Sequence, residues 1–143
     1  ISEWYATEFD DTAWGTRNTY FVGNVQDEPE DKKGHGYTGY GWYRGTFVVP
    51  KEFKDKPIHF WCGGAMQEAW FWVNGQYAGH HQDRRGRWTP YGFNLDVSAL
   101  IRPGETHSIA IRVWNQTDLG GLYQRGFFWS PKNDAALEGL LLQ

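Results

Sequence analysis

The chain has 143 residues, a formal net charge of −3, 22% charged residues and an aromatic set of nine Trp, eight Tyr and nine Phe. At that length one domain over 1–143 is expected, burying roughly two-thirds of the surface its unfolded chain exposes. The charge balance argues against a general nucleic-acid or anionic-membrane binder, the aromatics exclude disorder, and no run of about 18 apolar residues is present to cross a bilayer as a helix.

In chain order, the first alternating run is Tyr43-Arg44-Gly45-Thr46-Phe47-Val48-Val49. It stops at Pro50, which has no N–H to give to a ladder. Ile58, Phe60 and Cys62 then share one face and His59 and Trp61 the other. Ala69, Phe71 and Val73 oppose Trp70 and Trp72, and Asn74-Gly75 follows directly before Gln76-Tyr77-Ala78-Gly79. An Asn-Gly pair between two such runs predicts a tight hairpin, because both central residues need positive φ. Phe93, Leu95 and Val97 alternate, as do Ile109, Ile111 and Val113 with Ala110, Arg112 and Trp114. Phe47, Phe60, Phe71 and Phe93 are the expected core phenylalanines. Helix is confined to one turn at Ser98-Ala99-Leu100-Ile101 and a candidate from Asp134 to Leu142. Many short strands with Gly-rich turns and little helix predict an all-β, antiparallel β-sandwich or barrel.

Three stretches lie outside this pattern and are read as loops: about Gly15 to Gly41, His80 to Pro90, and Asn115 to Gly126. Loops on a rigid sandwich are where binding residues concentrate. The lone Cys62, between apolar neighbours, reads as a buried inert thiol with no disulfide to form. The chain opens at Ile1 without Met, as a mature or excised fragment would, so the missing signal peptide says nothing about secretion.

Gly41-Trp42-Tyr43-Arg44-Gly45-Thr46-Phe47 with Pro50, Ala69 to Gly75, Gly79-His80, Thr89-Pro90, Asp96-Val97, Arg102-Pro103-Gly104-Glu105 and Gly120-Gly121-Leu122-Tyr123 recur in a specific order. Together with the opening Phe9-Asp10-Asp11-Thr12-Ala13-Trp14, they resemble the N-terminal sugar-binding domain of glycoside hydrolase family 2, the group of β-galactosidases and β-glucuronidases. The resemblance implies a jelly-roll sandwich of the galactose-binding-like kind in a carbohydrate context. In that family the catalytic carboxylates sit on a separate (β/α)8 barrel, and this chain has no βαβα alternation. The resemblance therefore implies a non-catalytic carbohydrate-binding module from a multidomain enzyme. It further implies secreted, periplasmic or cell-surface placement, with a polysaccharide or oligosaccharide and the parent's catalytic domain as partners.

Sugar binding requires flat aromatic faces for the C–H side of a pyranose and planar polar groups for its hydroxyls. Three loop clusters supply them. His35, Tyr37, Tyr40 and Trp42 lie between glycines; the competing role for Trp42 is packing over the sandwich end. His81, Gln82, Arg84, Arg85 and Trp88 form the most polar cluster, in which the guanidinium forks suit an anionic or sulfated glycan; the competing role is a solvated loop partly neutralised by Asp83. Asp118, Tyr123 and Arg125 follow the last clear strand, where the resembled family faces its sugar. An Asx turn at Asp118 and internal pairing of Arg125 are the structural alternative. Trp70 and Trp72 read either as a stacking platform or, more often, as a pair covered by the N-terminal segment or another domain.

Enzyme signatures fail: there is no Gly-x-Ser-x-Gly elbow, His-Glu-x-x-His helix or phosphate loop. His80 and His81 are adjacent, so on a strand they point to opposite faces and cannot share a metal. Asp27, Glu28, Glu30 and Asp31 have the oxygen chemistry of a Ca2+ site, but a solvated acidic loop is the preferred reading, and no cofactor is expected. Two alternatives stay open: an accessory domain that packs on a catalytic barrel with no affinity of its own, and a small lyase or hydrolase using Tyr, His and Arg.

Overall fold

A computed structural model describes residues 3–15, 39–82, 92–115, 121–122 and 126–131. Its strands, in chain order, are β1 (Gly39–Val48), β2 (His59–Cys62), β3 (Ala65–Met66), β4 (Glu68–Val73), β5 (Gln76–Gln82), β6 (Phe93–Asp96), β7 (Thr106–Asn115), β8 (Gly121–Leu122) and β9 (Gly126–Trp129). They form a four-stranded sheet of order β1-β7-β4-β5, a three-stranded sheet of order β6-β2-β9 and a two-stranded ribbon β3-β8. Every pairing is antiparallel.

The period-2 pattern decides which face of each strand is buried. On β4, Ala69, Phe71 and Val73 are closed off from solvent while Trp70 and Trp72 stay half-buried on the other side. The core lies between the two larger sheets and joins Phe71, Val73, Ile111 and Val113 to Phe60, Cys62, Ile58 and Val97. Phe60 meets Phe71 with ring centroids 5.9 Å apart, and Phe71 meets Phe93 edge-on at 5.0 Å. Phe47 stacks on Phe128 at 3.9 Å from the partly buried rim. The four expected core phenylalanines therefore all pack inward.

Asn74 and Gly75 have φ of 51° and 74°, and Val73 pairs with Gln76. This is the two-residue hairpin with both central residues left-handed, as the Asn-Gly pair predicts. The Ser98–Leu100 turn forms as a 3-10 helix, and a second one, Lys51–Phe53, follows the strand-ending Pro50 without a sequence signal. The Asp134–Leu142 helix candidate lies outside the described residues.

Three loop assignments need correction. The stretch from Asn115 to Gly126 starts on the last residue of β7, holds the short strand β8 paired with β3, and ends on the first residue of β9; Gly121 and Gly126 read as loop although neighbouring strands supply their backbone partners. β1 begins at Gly39, so Tyr40 and Trp42 are strand residues and not loop residues. The glycines at 39 and 41 read as loop punctuation, but ten consecutive pairs to β7 hold this segment in the ladder. Likewise β5 continues through His80, His81 and Gln82. Their polarity reads as a loop, yet among the described residues β5 is an edge strand of its sheet, where polar side chains are tolerated.

Candidate functional site

The outward face of the four-stranded sheet gathers three cross-strand rows. In antiparallel pairing, residues opposite one another project to the same side, so register alone assembles each row. The central row is Trp42 on β1, Arg112 on β7, Trp70 on β4 and His80 on β5. Tyr40, Trp114, Glu68 and Gln82 form the row on one side of it, and Arg44, Ala110, Trp72 and Tyr77 the row on the other.

The N-terminal segment covers the third row. Tyr5 stacks on Trp72 at 5.4 Å and 15°, and Trp4 sits edge-on to Trp42 at 5.8 Å. Arg44 clamps the segment: its Nε donates to Asp11 Oδ2 at 2.8 Å and its Nη1 to the Trp4 carbonyl at 2.6 Å. The Trp70–Trp72 pair is thus divided. Trp72 and Trp42 lie under or against the N-terminal segment, whereas Trp70 remains beside Tyr40, which is 53% exposed.

Arg112 organises the open part. Its guanidinium carbon lies 4.2 Å from the Trp70 ring centre, 5.1 Å from Tyr40, 5.8 Å from Trp42 and 5.9 Å from Trp72. Each such contact contributes about 0.5–1 kcal/mol at the surface and more when desolvated. His80 stacks on the far side of the row against Trp70 at 4.9 Å and 14°, and its Nε2 donates to Glu68 Oε1 at 2.6 Å. Glu68 is only 3% exposed, a position a carboxylate holds only with partners. The result is an exposed tyrosine and a half-buried tryptophan, with a cation and an imidazole–carboxylate pair at their edges.

His81 does not join this site. It points to the inner face and stacks on Phe93 at 4.2 Å and 6°. The opposite facing of the two adjacent histidines is as the strand parity requires. Gln82 shares the outward row of Tyr40 and is exposed. Of the sequence candidates, Tyr40, Trp42 and Gln82 therefore come to one face. His35, Tyr37, Arg84, Arg85, Trp88, Asp118, Tyr123 and Arg125 lie outside the described residues, as do Asp27, Glu28, Glu30 and Asp31. Among the described residues no three His, Cys, Asp or Glu side chains group as metal ligands. Arg112, His80 and Glu68 were not sequence candidates, and Trp70 entered only through the less favoured reading of Trp70 and Trp72 as a stacking platform. The available signal was parity: Arg112 faces the same way as Ala110 and Trp114, away from Ile111 and Val113.

The three-stranded sheet carries a second aromatic face. His59 stacks on Trp129 at 4.9 Å, Trp129 Nε1 donates to Asn94 Oδ1 at 2.8 Å, and Asn94 Nδ2 reaches His59 Nδ1 at 2.8 Å. Trp129 and Phe127 are 37% and 50% exposed. Between the sheets lies a half-open, mainly apolar cavity of about 220 Å³ lined by Phe47, Phe60, Ile109, Ile111 and Phe128, with Arg44 and Gly45 at its wall.

The family described as beta-galactosidase second all-beta domain matches residues 2–119. A beta-galactosidase of Priestia megaterium is 29% identical over 92 residues, 64% of this chain and 8% of that protein. A beta-glucuronidase of Paenibacillus borealis is 30% identical over 64% of this chain and 15% of its own length. A beta-glucuronidase of Formosa agariphila is 29% identical over 94% of this chain and 14% of its length. Among solved structures, a glycosyl hydrolase family 2 member from Bacteroides cellulosilyticus superposes with a TM-score of 0.75 at 24% identity, covering 92% of this chain and 19% of that one. Beta-glucuronidase 2 of Bacteroides uniformis gives 0.72 at 22% identity over 90% of this chain and 16% of that one. The chain thus spans between 8% and 15% of the length of these curated relatives.

Proposed function

This chain belongs to the family of beta-galactosidase second all-beta domains, an all-β accessory domain of the glycoside hydrolase family 2 kind, and on that premise we propose that it is a non-catalytic carbohydrate-binding module. Its ligand is a polysaccharide or oligosaccharide, and its role is to hold an attached carbohydrate-active enzyme on that substrate. The carrying observation is the open part of the four-stranded face, where the exposed Tyr40 ring adjoins Trp70 with Arg112 packed against both. Aromatic faces stack on the apolar side of a pyranose, and Arg112, His80 and Gln82 are the polar groups within the same or the neighbouring row. The N-terminal segment supports the reading, since its Tyr5 stacks on the adjoining Trp72 while Tyr40 stays exposed.

Retardation of the chain in native gels containing neutral and acidic plant and algal polysaccharides tests the proposal. Binding is expected, and Tyr40→Ala is expected to weaken it by about tenfold, the effect of losing roughly 1.4 kcal/mol of stacking and burial. The Trp129→Ala control on the opposite face is expected to bind normally. Migration unaffected by every polysaccharide would overturn the reading.

The exposed Phe127 and Trp129 favour a second role, docking against a catalytic domain of the same parent chain. That role uses the other sheet, so it is compatible with sugar binding at Tyr40. A chain that binds no glycan would leave docking as its only role.

A further inference from the structure

We propose that Arg112 makes the Tyr40–Trp70 face selective for sugars that carry an oxyanion, a carboxylate or a sulfate ester; this rests on the carbohydrate-binding reading above. Among the described residues Arg112 has no ion-pair or hydrogen-bond partner, and its only contacts of that strength are to aromatic rings. Its Nε is buried without an acceptor, while its two Nη groups are not among the buried unpartnered atoms. A guanidinium on a central strand normally satisfies its donors with a carboxylate. Here the carboxylate on the neighbouring strand, Glu68, is engaged by His80 at 2.6 Å. The cation is thus held in place by ring faces, with its outer edge uncommitted.

That arrangement matches one ligand chemistry. A pyranose stacked on Tyr40 places its substituents at the ring edge, beside the Nη edge of Arg112. The planar fork accepts two oxygens of one carboxylate or sulfate in parallel, which a hydroxyl cannot supply. The packing against Trp70 and Tyr40 restricts the guanidinium before the ligand arrives, so little side-chain entropy remains to be lost. The chain's net charge of −3 argues for a local contact of this kind, since no global field draws an anionic polymer in.

The test uses matched polymers: polygalacturonate against its methyl ester, and a sulfated galactan against the same galactan after desulfation. The unmodified chain is expected to bind one or both charged forms at least about tenfold more tightly than their uncharged counterparts in low salt, the size of a charge-assisted hydrogen-bonded contact. The preference is expected to shrink at about 0.5 M salt. Arg112→Gln should reduce the preference to about one by weakening the charged polymers far more than the uncharged ones, and Arg112→Lys should keep part of it. The pair that shows the preference identifies carboxylate or sulfate. Equal binding of charged and uncharged forms by the unmodified chain, or a preference that survives Arg112→Gln, would overturn the inference and leave the carbohydrate-binding reading standing. Failure to bind any of the four polymers would overturn both.

Discussion

Trp129 donates its indole N–H to Asn94 Oδ1 at 2.8 Å, and through that bond it sets the tautomer of His59. An indole nitrogen can only donate, so Asn94 must turn its oxygen to Trp129 and its amino group to His59 Nδ1. His59 Nδ1 is then an acceptor, and the imidazole proton resides on Nε2. Nitrogen-15 spectra of His59 are expected to show the Nε2–H form. Asn94→Asp, which accepts from both neighbours, is expected to move the proton to Nδ1. A protonated Nδ1 in the unmodified chain would refute the network.

Asn74 combines two properties at the hairpin. It holds φ of 51°, and its side chain bonds Ser108 N, the Leu100 carbonyl and His107 Nδ1 at 3.0, 3.1 and 2.8 Å. Asn74→Gly keeps the backbone freedom and loses the three bonds, whereas Asn74→Ala loses both. Urea unfolding is expected to rank the chains unmodified, then Gly, then Ala, with about 1–3 kcal/mol for the bonds and about 1 more for alanine in the left-handed region. An alanine variant as stable as the glycine one would show that the dihedral contributes nothing.

The N-terminal segment depends on the Arg44–Asp11 contact. The Arg44 side chain is 7% exposed and Asp11 43%, so removing Asp11 strands a mostly buried cation whose partner was half in water. Asp11→Ala is expected to cost about 1 kcal/mol, at the lower end for a charge-assisted bond because of that solvent exposure. Faster proteolysis within residues 3–15 and a changed tryptophan emission spectrum, from loosening around Trp4, Trp42 and Trp72, should accompany the loss. Unchanged proteolysis would separate the segment's docking from this ion pair.

Burial pushes the Cys62 thiol up to about 12, the Gly64 backbone hydrogen bond opposing it only in part. In an unfolded chain a thiol ionises near 8.5, so above that pH the unfolded state binds fewer protons than the folded one. Stability should therefore be undiminished by this group at neutral pH and fall as pH rises from about 9 toward 12, by at most about 1.4 kcal/mol per unit. Cys62→Ala is expected to lack this component, as difference melting curves would reveal. At pH 8 the folded chain's thiol should react with a disulfide reagent only as fast as the chain opens. Rapid labelling of the native chain would contradict its burial.

Local alternation made much of the fold legible. The strand faces of Ala69, Phe71 and Val73, the Asn74-Gly75 hairpin and the inert Cys62 follow from residue type and spacing of two. The strand ends were less legible, because Gly39, Gly41 and the polar His80 to Gln82 carry turn or loop composition while a neighbouring strand supplies their backbone partners. β9 gave no alternating pattern, since Phe127, Phe128 and Trp129 are aromatic in succession.

The sequence by itself determined that this is an all-β chain of the glycoside hydrolase family 2 kind and which way most of its strand residues face. Both are local matters of pattern and motif order. Only the tertiary structure decided that Tyr40, Trp42, Trp70 and Trp72 surround Arg112, because those five residues come from three strands separated in the chain by up to 72 positions. Parity says that Arg112 points outward. Strand order β1-β7-β4-β5 places a tryptophan-bearing strand on each side of it, and the ladder register brings those rings level with its guanidinium.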